Sequence, residues 1–494
     1  MAVGAMRIED VATATGGRLT APPGRRDLTG VSIDSRTVRP GEVFFAIAGP
    51  RFDGHAFLAQ AAGAGAAAAV VHRDVAAPPG LGLVRVADTT KALSDLARHV
   101  RATADVPVVA VTGSAGKTTT KEMTAALLAT RGPVLKTEGN LNNQYGLPLS
   151  LLRLAPEHTA AVLELGMSAA GELRDLTGLA RPDVAVITMV APVHLEFFDS
   201  LESIAAAKAE ILEGLGEGGA AVLNADDPLV RKIGEGKIGR AHRGQVIWFG
   251  RDRRYDVSAE NWRGTVHGMR FDLRLGGESV DVALPLPGPH FLSNFLAAAA
   301  VAHHLGIGAD AIARAATEMK PARHRGQVLA LGERITLLDD CYNSNPAAVE
   351  AAVVALGMAA PGRRVAFLGD MLELGPTGPE LHRQTGERIA PGLQALVASG
   401  PLAAHFVEGA RRAGMKDEDL AAFPDSAAAA AAAPRLVRPG DAVLVKGSRG
   451  ARMEAVVDAL VAAFPPDGGS GGTGGSPQLN ERARIDSERA QDVQ

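Results

Sequence analysis

The stretch from residue 108 to 120 constrains the fold most strongly; it reads Val-Val-Ala-Val-Thr-Gly-Ser-Ala-Gly-Lys-Thr-Thr-Thr. A β-branched run ends in a Gly-rich turn, and a Lys-Thr pair then opens a helical segment. Backbone N–H groups of such a turn converge on phosphate oxygens, and the helix N-terminus and Lys117 add positive charge. The usual pattern has Gly at position 111, where this chain has Val, so the alternative is a Gly-rich turn with an unrelated lysine. The residues predicted to hold nucleotide phosphates are Gly113, Ser114, Ala115, Gly116, Lys117, Thr118 and Thr119, with the Thr118 hydroxyl placed for Mg²⁺.

The order of the remaining segments predicts an α/β protein with three domains. Apolar strands alternate with helical stretches, which favours mostly parallel sheets covered by helices on both faces. We expect a small α/β N-terminal domain over 1–106, a central P-loop domain over 107–322 and a Rossmann-like C-terminal domain over 323–464. The Gly-, Ser- and Pro-rich composition after Phe464 predicts a disordered tail over 465–494.

Two helices are predicted from local signals alone. The Ala-rich run 57–69 is typical of a helix that leads into a strand at 69–71. A second Ala run, 427–433, is predicted to be a helix that Asp425 or Ser426 caps and Pro434 ends.

Composition excludes several classes of function. The chain has 494 residues with 51 basic and 55 acidic side chains, a net charge of −4, and no basic block interleaved with aromatics, which argues against a nucleic-acid partner. The single cysteine, Cys341, excludes a disulfide framework and fits a reducing cytoplasm. The start lacks the pattern of a secretory signal, and the apolar run 61–71 is too short to span a membrane.

Polar side chains follow several predicted strands, where ligands of open α/β sheets bind. Glu164 ends an apolar strand and is either a metal ligand or a capping group; a Mg²⁺ beside a phosphate loop needs such a carboxylate. His194 lies just past the strand at 184–190, and on its own it is as easily structural as functional. Lys208 lies in a helical segment, and its periodicity alone favours a solvated lysine.

Three strand ends of the C-terminal unit are also polar, and together they predict a site. Asp-Asp-Cys-Tyr-Asn-Ser-Asn-Pro spans 339–346, Leu-Gly-Asp-Met-Leu-Glu-Leu-Gly spans 368–375, and Lys-Gly-Ser-Arg-Gly spans 446–450. Each segment alone is a weak signal, since helix entry or turn formation explains it equally well. Three such ends on one sheet favour a ligand site.

Taken together, these motifs resemble the Mur ligase family, the ATP-dependent amide ligases of bacterial peptidoglycan synthesis, over residues 7–463. The first unit looks like the family's UDP-precursor domain, marked by segments 32–36, 40–46 and 51–55, and segment 137–146 resembles a loop that contacts the UDP-sugar. The resemblance implies that the UDP-linked and peptide substrates bind Ser32, Asp34, Ser35, Arg36, Gly54, His55, Asn140, Asn142, Asn143, Asn343 and Asn345.

The resemblance also implies roles around the nucleotide. Glu164 and His194 fall on the family's metal-binding positions. Lys208 falls on a lysine that the family carbamylates, so the resemblance implies a modified, metal-binding side chain rather than a solvated lysine. Asn294 matches a residue beside the adenine. Arg325 and Asp340 match positions that grip ATP. The residues expected to act in catalysis are Lys117, His194 and Lys208; those expected to hold metal are Thr118, Glu164, His194 and Lys208.

The chain departs from the family pattern at a few places. Met189 replaces an Asn, Phe291 replaces the first Asn of a Gly-x-His-Asn-x-x-Asn motif, His324 replaces a Gly, and Cys341 replaces a Ser. The Phe291 change puts one polar contact in doubt, and together the substitutions leave some room for a non-catalytic protein that only binds ATP or a cell-wall precursor.

The implied activity is an ATP-dependent ligase that joins D-alanyl-D-alanine to UDP-N-acetylmuramoyl-tripeptide through an acyl phosphate, with two Mg²⁺ ions and a carbamylated Lys208. We expect a cytoplasmic monomer. The Asp-Asn-Pro-Arg signature of ligases that add the third amino acid is absent. A related amino-acid ligase, such as one adding glutamate to a folate, is the nearest alternative. A nucleic-acid motor is disfavoured by charge.

Overall fold

A computed structural model of the chain describes residues 6–24, 27–49, 52–193, 196–239, 244–265, 268–359 and 362–466. The described residues form three α/β units, each with its own sheet, and the sheets are mostly parallel. The expected boundaries at 106–107 and 322–323 stay predictions; each falls between the last helix of one unit and the first strand of the next. His194 and residues 467–494 lie outside the described residues, so what was expected of them stays a prediction.

The first unit has a five-stranded sheet in the order β1-β5-β4-β3-β2, in which only β1 is antiparallel to its neighbour. Buried apolar side chains of the strands and of α3 form its core, which continues into the next unit. The strands are β1 Arg18–Ala21, β2 Gly30–Ser32, β3 Glu42–Phe45, β4 Ala68–Val71 and β5 Gly82–Arg85; the helices are α1 Ile8–Ala14, α2 Leu58–Gly63 and α3 Thr89–Thr103.

The central unit has nine strands in the order β14-β13-β12-β11-β10-β9-β6-β8-β7. The strands are β6 Val108–Thr112, β7 Val134–Lys136, β8 Ala160–Glu164, β9 Val184–Ile187, β10 Ala220–Asn224, β11 Gln245–Gly250, β12 Val257–Thr265, β13 Gly268–Leu275 and β14 Glu278–Leu284. The helices are α4 Lys117–Leu128, α5 Gly146–Leu151, α6 Glu172–Ala180, α7 Leu201–Ala209, α8 Pro228–Gly234, α9 Pro289–His304 and α10 Ala309–Ala316. The antiparallel meander β12–β14 extends the parallel part and was not predicted.

The C-terminal unit has six strands in the order β15-β16-β20-β17-β18-β19, with only β15 antiparallel. The strands are β15 Gln327–Ala330, β16 Thr336–Asp340, β17 Arg364–Gly369, β18 Ala395–Ser399, β19 Leu420–Phe423 and β20 Ala442–Lys446; the helices are α11 Pro346–Ala359, α12 Gly378–Ile389, α13 Ala403–Arg412, α14 Ser426–Leu436 and α15 Glu454–Ala463. This arrangement confirms the predicted three-unit α/β fold.

Two local predictions were wrong at helix ends. The helix expected over 57–69 ends at Gly63, because Gly65 adopts a φ of +93° that turns the chain towards β4. Pro434 lies inside α14 rather than ending it, because Ala429 and Ala433 pack into the core and carry the helix on to Leu436. Asp425 caps that helix as predicted, accepting a hydrogen bond from the Ala428 N–H.

The parallel strands place their carboxyl ends along one edge of each sheet. β6, β8 and β9 are neighbours in the central sheet, and β16, β20 and β17 are neighbours in the C-terminal sheet. Among the described residues no helix has both the length and the apolar character needed to cross a membrane.

Candidate active site

A cleft of about 1200 Å³ lies between the central and C-terminal units. One wall is formed by the phosphate loop, the end of β8 and the start of α9, and the other by the loops after β16, β17 and β20. The predicted residues that line it are Gly113, Ser114, Ala115, Gly116, Lys117, Thr118, Thr119, Asn140, Asn142, Asn143, Glu164, Lys208, Asn294, Arg325, Asp340, Asn343 and Asn345. The structure thus brings together residues from seven separate sequence segments.

The phosphate loop forms the strand–turn–helix that its sequence predicts. It joins β6 to α4, and Gly116 adopts a φ of +83° at the helix start. A Cβ at that position would lie 2.3 Å from Oδ1 of Asn294, so a side chain would collide with α9. The N-terminus of α4 therefore faces the cleft, where its free N–H groups and dipole favour an anion.

The segment after β9 supports the phosphate loop from behind. The Ser114 N–H donates to the Met189 carbonyl at 2.9 Å, the Ala191 N–H donates to Ser114 Oγ at 2.9 Å, and Thr188 Oγ1 donates to the Ala115 carbonyl at 2.6 Å. The Met189 contact uses a backbone oxygen, so the replacement of Asn by Met does not remove it. Sequence reasoning missed Thr188, although a polar residue at the end of an apolar strand was the available signal.

Lys117 lies over the loop that it follows. Its Nζ donates to the Gly113 carbonyl at 2.8 Å. Burial lowers the pKa of Lys117, while the nearby Glu164 carboxylate opposes that shift. The position of Lys117 over the loop, with Glu164 favouring the charged form, suits it to contact a phosphate bound there.

Glu164 and Thr118 form the predicted carboxylate–hydroxyl pair. Thr118 Oγ1 donates to Glu164 Oε2 at 2.7 Å, and Asn142 Nδ2 donates to the other carboxylate oxygen, Oε1, at 3.0 Å. Glu164 is only 3% exposed but lines the cleft. Adjacent hydroxyl and carboxylate oxygens are the hard donors that Mg²⁺ prefers, so this pair fits that ion.

Lys208 is buried rather than solvated, which corrects the interpretation from helical periodicity alone. It is 2% exposed, lies near the end of α7 and lines the cleft. Burial, and then the positive charge of Lys117, lower the pKa of Lys208 well below its ordinary value. Both effects favour the neutral amine of Lys208 over its ammonium form.

The start of α9 places a polar residue, Asn294, and two ring side chains, His290 and Phe291, in the cleft lining. Asn294 is 8% exposed, and its Oδ1 accepts a hydrogen bond from Thr120 Oγ1 at 3.3 Å. Phe291, which replaces the family's Asn, is 2% exposed and packs beside the His290 ring with the ring centroids 4.4 Å apart. Burial lowers the pKa of His290 to about 4, so this imidazole is neutral at pH 7.

The three polar strand ends of the C-terminal unit meet as predicted. Lys446 Nζ donates to Asp340 Oδ2 at 2.6 Å and to the Asn343 carbonyl at 2.9 Å, which joins the ends of β16 and β20. The Ser448 N–H donates to the Asp370 carbonyl at 3.1 Å, which joins β20 to β17. This side of the cleft is thus one hydrogen-bonded surface.

Three further side chains of this surface, Arg325, Asn343 and Asn345, line the cleft. The Arg325 guanidinium lies 3.9 Å above the centre of the Tyr342 ring, so its plane is held by a cation–π contact. Asn345 Oδ1 accepts from the Ala348 N–H at 2.9 Å, and Asn343 Oδ1 accepts from the Ser344 N–H at 2.8 Å. The two amide oxygens therefore shape the entry to α11.

His324 and Cys341, two departures from the family pattern, lie off the cleft lining. His324 Nδ1 lies 2.7 Å from Asp339 Oδ2, and the Cys341 N–H donates to Asp339 Oδ1 at 3.4 Å. Successive strand residues face opposite sides of a sheet, so Asp339 lies opposite the cleft residue Asp340. These departures leave the cleft contacts intact.

The N-terminal residues predicted for substrate binding lie elsewhere. None of the six described residues from this unit lines the cleft. Asp34 and Arg36 pair with each other, with guanidinium-to-carboxylate distances of 2.9 and 2.8 Å. Ser35 Oγ donates to Gln60 Oε1 at 3.0 Å, and Ser32 Oγ donates to the Asp34 carbonyl at 3.1 Å.

His55 uses both of its ring nitrogens inside the protein. Nε2 accepts from the His72 N–H at 3.1 Å, and Nδ1 lies 2.7 Å from Asp53 Oδ1, so Nδ1 carries the proton. The side chain is fully buried, and burial lowers the pKa of His55, although Asp53 opposes the shift. Its neighbour Gly54 opens the short 3-10 helix Gly54–Phe57.

Comparisons with known proteins agree with this geometry. Three family models match: Mur ligase family, catalytic domain, over 27–127; Mur ligase middle domain over 111–302; and Mur ligase, glutamate ligase domain, over 324–449. UDP-N-acetylmuramoyl-tripeptide–D-alanyl-D-alanine ligase of Escherichia coli K12 is 40% identical over 88% of this chain and 94% of its own length.

Two solved structures are similar over nearly the whole fold. MurF from Acinetobacter baumannii is 33% identical, with a TM-score of 0.84 over 92% of this chain and 99% of that one. MurF ligase from Thermotoga maritima in complex with ADP is 31% identical, with a TM-score of 0.77 over 88% and 97%.

Proposed function

This chain belongs to the Mur ligase family, and we propose on that basis that it joins D-alanyl-D-alanine to UDP-N-acetylmuramoyl-tripeptide with ATP, in peptidoglycan precursor synthesis. The observation that carries the proposal is the 40% identity to a ligase of that name over 88% of the chain. The convergence of the phosphate loop, Glu164 and Lys208 on one cleft supports it.

ATP binds, in this proposal, with its phosphates on the loop 113–119 and its adenine towards Asn294. Lys117 and the N-terminus of α4 hold the β- and γ-phosphates. Arg325 and Asp340 approach the nucleotide from the C-terminal unit. This arrangement is supported by the shared lining of one cleft.

Mg²⁺ is expected beside Thr118 and Glu164, whose oxygens fit that ion, and a second ion beside His194 and a carbamylated Lys208. When bound, such ions neutralise charge on the phosphates and the attacking carboxylate. The carbamate forms when the neutral Lys208 amine attacks CO₂ and loses one proton, leaving an N-carboxylate. The lowered pKa of Lys208 supports this, because only the neutral amine reacts.

The proposed reaction has two steps, in which ATP first activates the tripeptide carboxylate and the dipeptide amine then attacks it. The tripeptide carboxylate attacks the γ-phosphorus, the bond to ADP breaks, and an acyl phosphate forms. The neutral amine of D-alanyl-D-alanine then attacks the acyl carbon and loses a proton, and phosphate leaves with the bonding electrons. Lys117 stabilises the negative charge that accumulates where carboxylate and phosphate meet.

The precursor is expected to reach from the N-terminal unit to this cleft, with its UDP end near Ser32–Arg36 and His55 and its sugar near Asn140, Asn142 and Asn143. Asn343 and Asn345 are expected on the peptide side. We also expect a monomer acting in the cytoplasm. The three units must bring three substrates together, so we expect the protein to adopt open and closed forms.

The test is a product-mass assay with ATP, Mg²⁺ and UDP-N-acetylmuramoyl-tripeptide. We expect a product whose mass equals precursor plus dipeptide minus water, with one phosphate released per product, only when D-alanyl-D-alanine is present. Glutamate and single amino acids serve as control amines. Ligation of one of these instead would identify a related ligase, and phosphate release without any amide product would contradict the proposal.

A further inference from the structure

A second lysine of α4 is buried without touching the cleft. Lys121 is 1% exposed, and it lies one helical turn beyond Lys117 and Thr118 on the same helix. Lysine is rarely fully buried, because removing its charge from water is costly unless the charge is paired. Its partners therefore indicate why it is there.

Those partners tie α4 to the segment that follows β7. Lys121 Nζ donates to the Thr137 carbonyl at 2.6 Å and lies 2.9 Å from Glu122 Oε1. Glu122 also pairs with Lys136, the last residue of β7. Thr137 is 0% exposed and begins the loop 137–146, which carries Asn140, Asn142 and Asn143 into the cleft.

The same threonine holds the carboxylate expected to bind Mg²⁺. The Glu164 N–H donates to Thr137 Oγ1 at 3.0 Å, and the Glu164 carboxylate accepts from Thr118 and Asn142. Thr118 is three residues before Lys121, so the contacts close a ring from α4 through Thr137 and Glu164 back to α4. Lys121 is the direct link between the start of this loop and the phosphate-binding helix, beside the link through Asn142, Glu164 and Thr118.

We propose that Lys121 is a positioning residue, which sets loop 137–146 for the UDP-linked precursor by holding the Thr137 carbonyl. The inference rests on the proposed function and on the expectation that this loop contacts the precursor. An apolar side chain of similar length would fill the same space without the cost of a buried charge. The charge is therefore explained by the loop that it holds.

The test compares Lys121→Met with the wild type by calorimetric binding of the precursor and by steady-state kinetics. We expect the precursor Kd and KM to rise about tenfold or more, the effect of losing one charge-assisted hydrogen bond, with the KM for D-alanyl-D-alanine unchanged. A merely structural lysine would lower the melting temperature and the active fraction but leave both constants unchanged.

Two further variants keep the result interpretable. Lys136→Met removes the second lysine that pairs with Glu122. Because the Thr137 carbonyl is held by Lys121 and not by Lys136, this variant should leave the precursor Kd unchanged. Lys121→Arg keeps the charge and a donor, and it should recover part of the affinity if Lys121→Met folds poorly. Wild-type affinity in Lys121→Met, or no recovery in Lys121→Arg, would overturn the inference alone. Failure of the wild-type protein to bind the precursor would instead overturn the proposed function.

Discussion

The phosphate-loop region and the N-terminal substrate segments were both predicted from polar motifs, but their side chains behave differently. Around the loop, Glu164, Thr118 and Lys208 come from separate elements and face one cavity. In the N-terminal unit, Asp34 pairs with Arg36, and His55 is enclosed by Asp53 and the His72 backbone. The first set presents polar atoms to the cavity, whereas the second uses many of them to hold its own loops.

The difference teaches that a polar motif predicted to bind a ligand can use many of its side chains to hold its own loop. A phosphate needs several converging donors, and the helix start and Lys117 supply them at the cavity. In the N-terminal unit, hydrogen bonds to the Asp34 and Asp53 carboxylates fix the backbone at Arg36 and His55. We therefore expect substitutions in the first region to act on turnover and those in the second to act mainly on stability.

The largest effect is expected at Lys117. Lys117→Ala should lower turnover about a thousandfold or more, because it removes the lysine of the phosphate loop, whose charge is proposed to stabilise the γ-phosphate during transfer. Precursor binding, measured by calorimetry without ATP, should stay close to that of the wild type. The exposed Lys237, converted to Ala, is the control, and it should leave both quantities unchanged. Normal turnover in Lys117→Ala would contradict the proposed role of the phosphate loop in the reaction.

A second large effect is expected at Lys208. Lys208→Ala should be inactive, and formate or acetate should restore part of the turnover by supplying the carboxylate that the carbamate provides. Lys208→Arg is the matched control, since its guanidinium fills the space and cannot be carbamylated, so carboxylic acids should not rescue it. Full activity of Lys208→Ala without any added acid would exclude the carbamate.

The contrast also shows what the sequence could reveal. The phosphate loop is one contiguous segment, so its strand, turn and helix were predictable from local pattern, and Glu164 followed from the rule that ligands bind at the carboxyl ends of parallel strands. The same rule predicted a ligand site at the three polar strand ends of the C-terminal unit, whereas Lys208 gained its role from the resemblance alone. Their convergence in one cleft agrees with those expectations.

Long-range packing was harder to predict. Lys121 looks like any polar residue of an amphipathic helix, and its partner Thr137 is 16 residues away. The antiparallel strands β12–β14 carried a local signal, since Gly276-Gly277 separates two alternating runs, but that signal does not reveal that they extend the edge of a parallel sheet. The partners of His55 were equally hidden, because backbone donors such as the His72 N–H leave no trace in the sequence.

The smallest expected effect falls on His55. His55→Gln should lower the free energy of unfolding by about 1–3 kcal/mol, because it disturbs two buried hydrogen bonds. The precursor KM should stay within about twofold, since both ring nitrogens are already engaged in the fold.

Acid denaturation gives His55 a second measurement. Because its folded pKa is lowered, its contribution to stability is complete above the ordinary value of 6.5 and is lost as the pH falls from there towards the folded pKa. Chemical denaturation between pH 5 and pH 8 should therefore show a shallower loss in His55→Gln than in the wild type. A large rise in precursor KM with unchanged stability would instead assign His55 to the substrate, and the N-terminal segments would then resemble the phosphate-loop region after all.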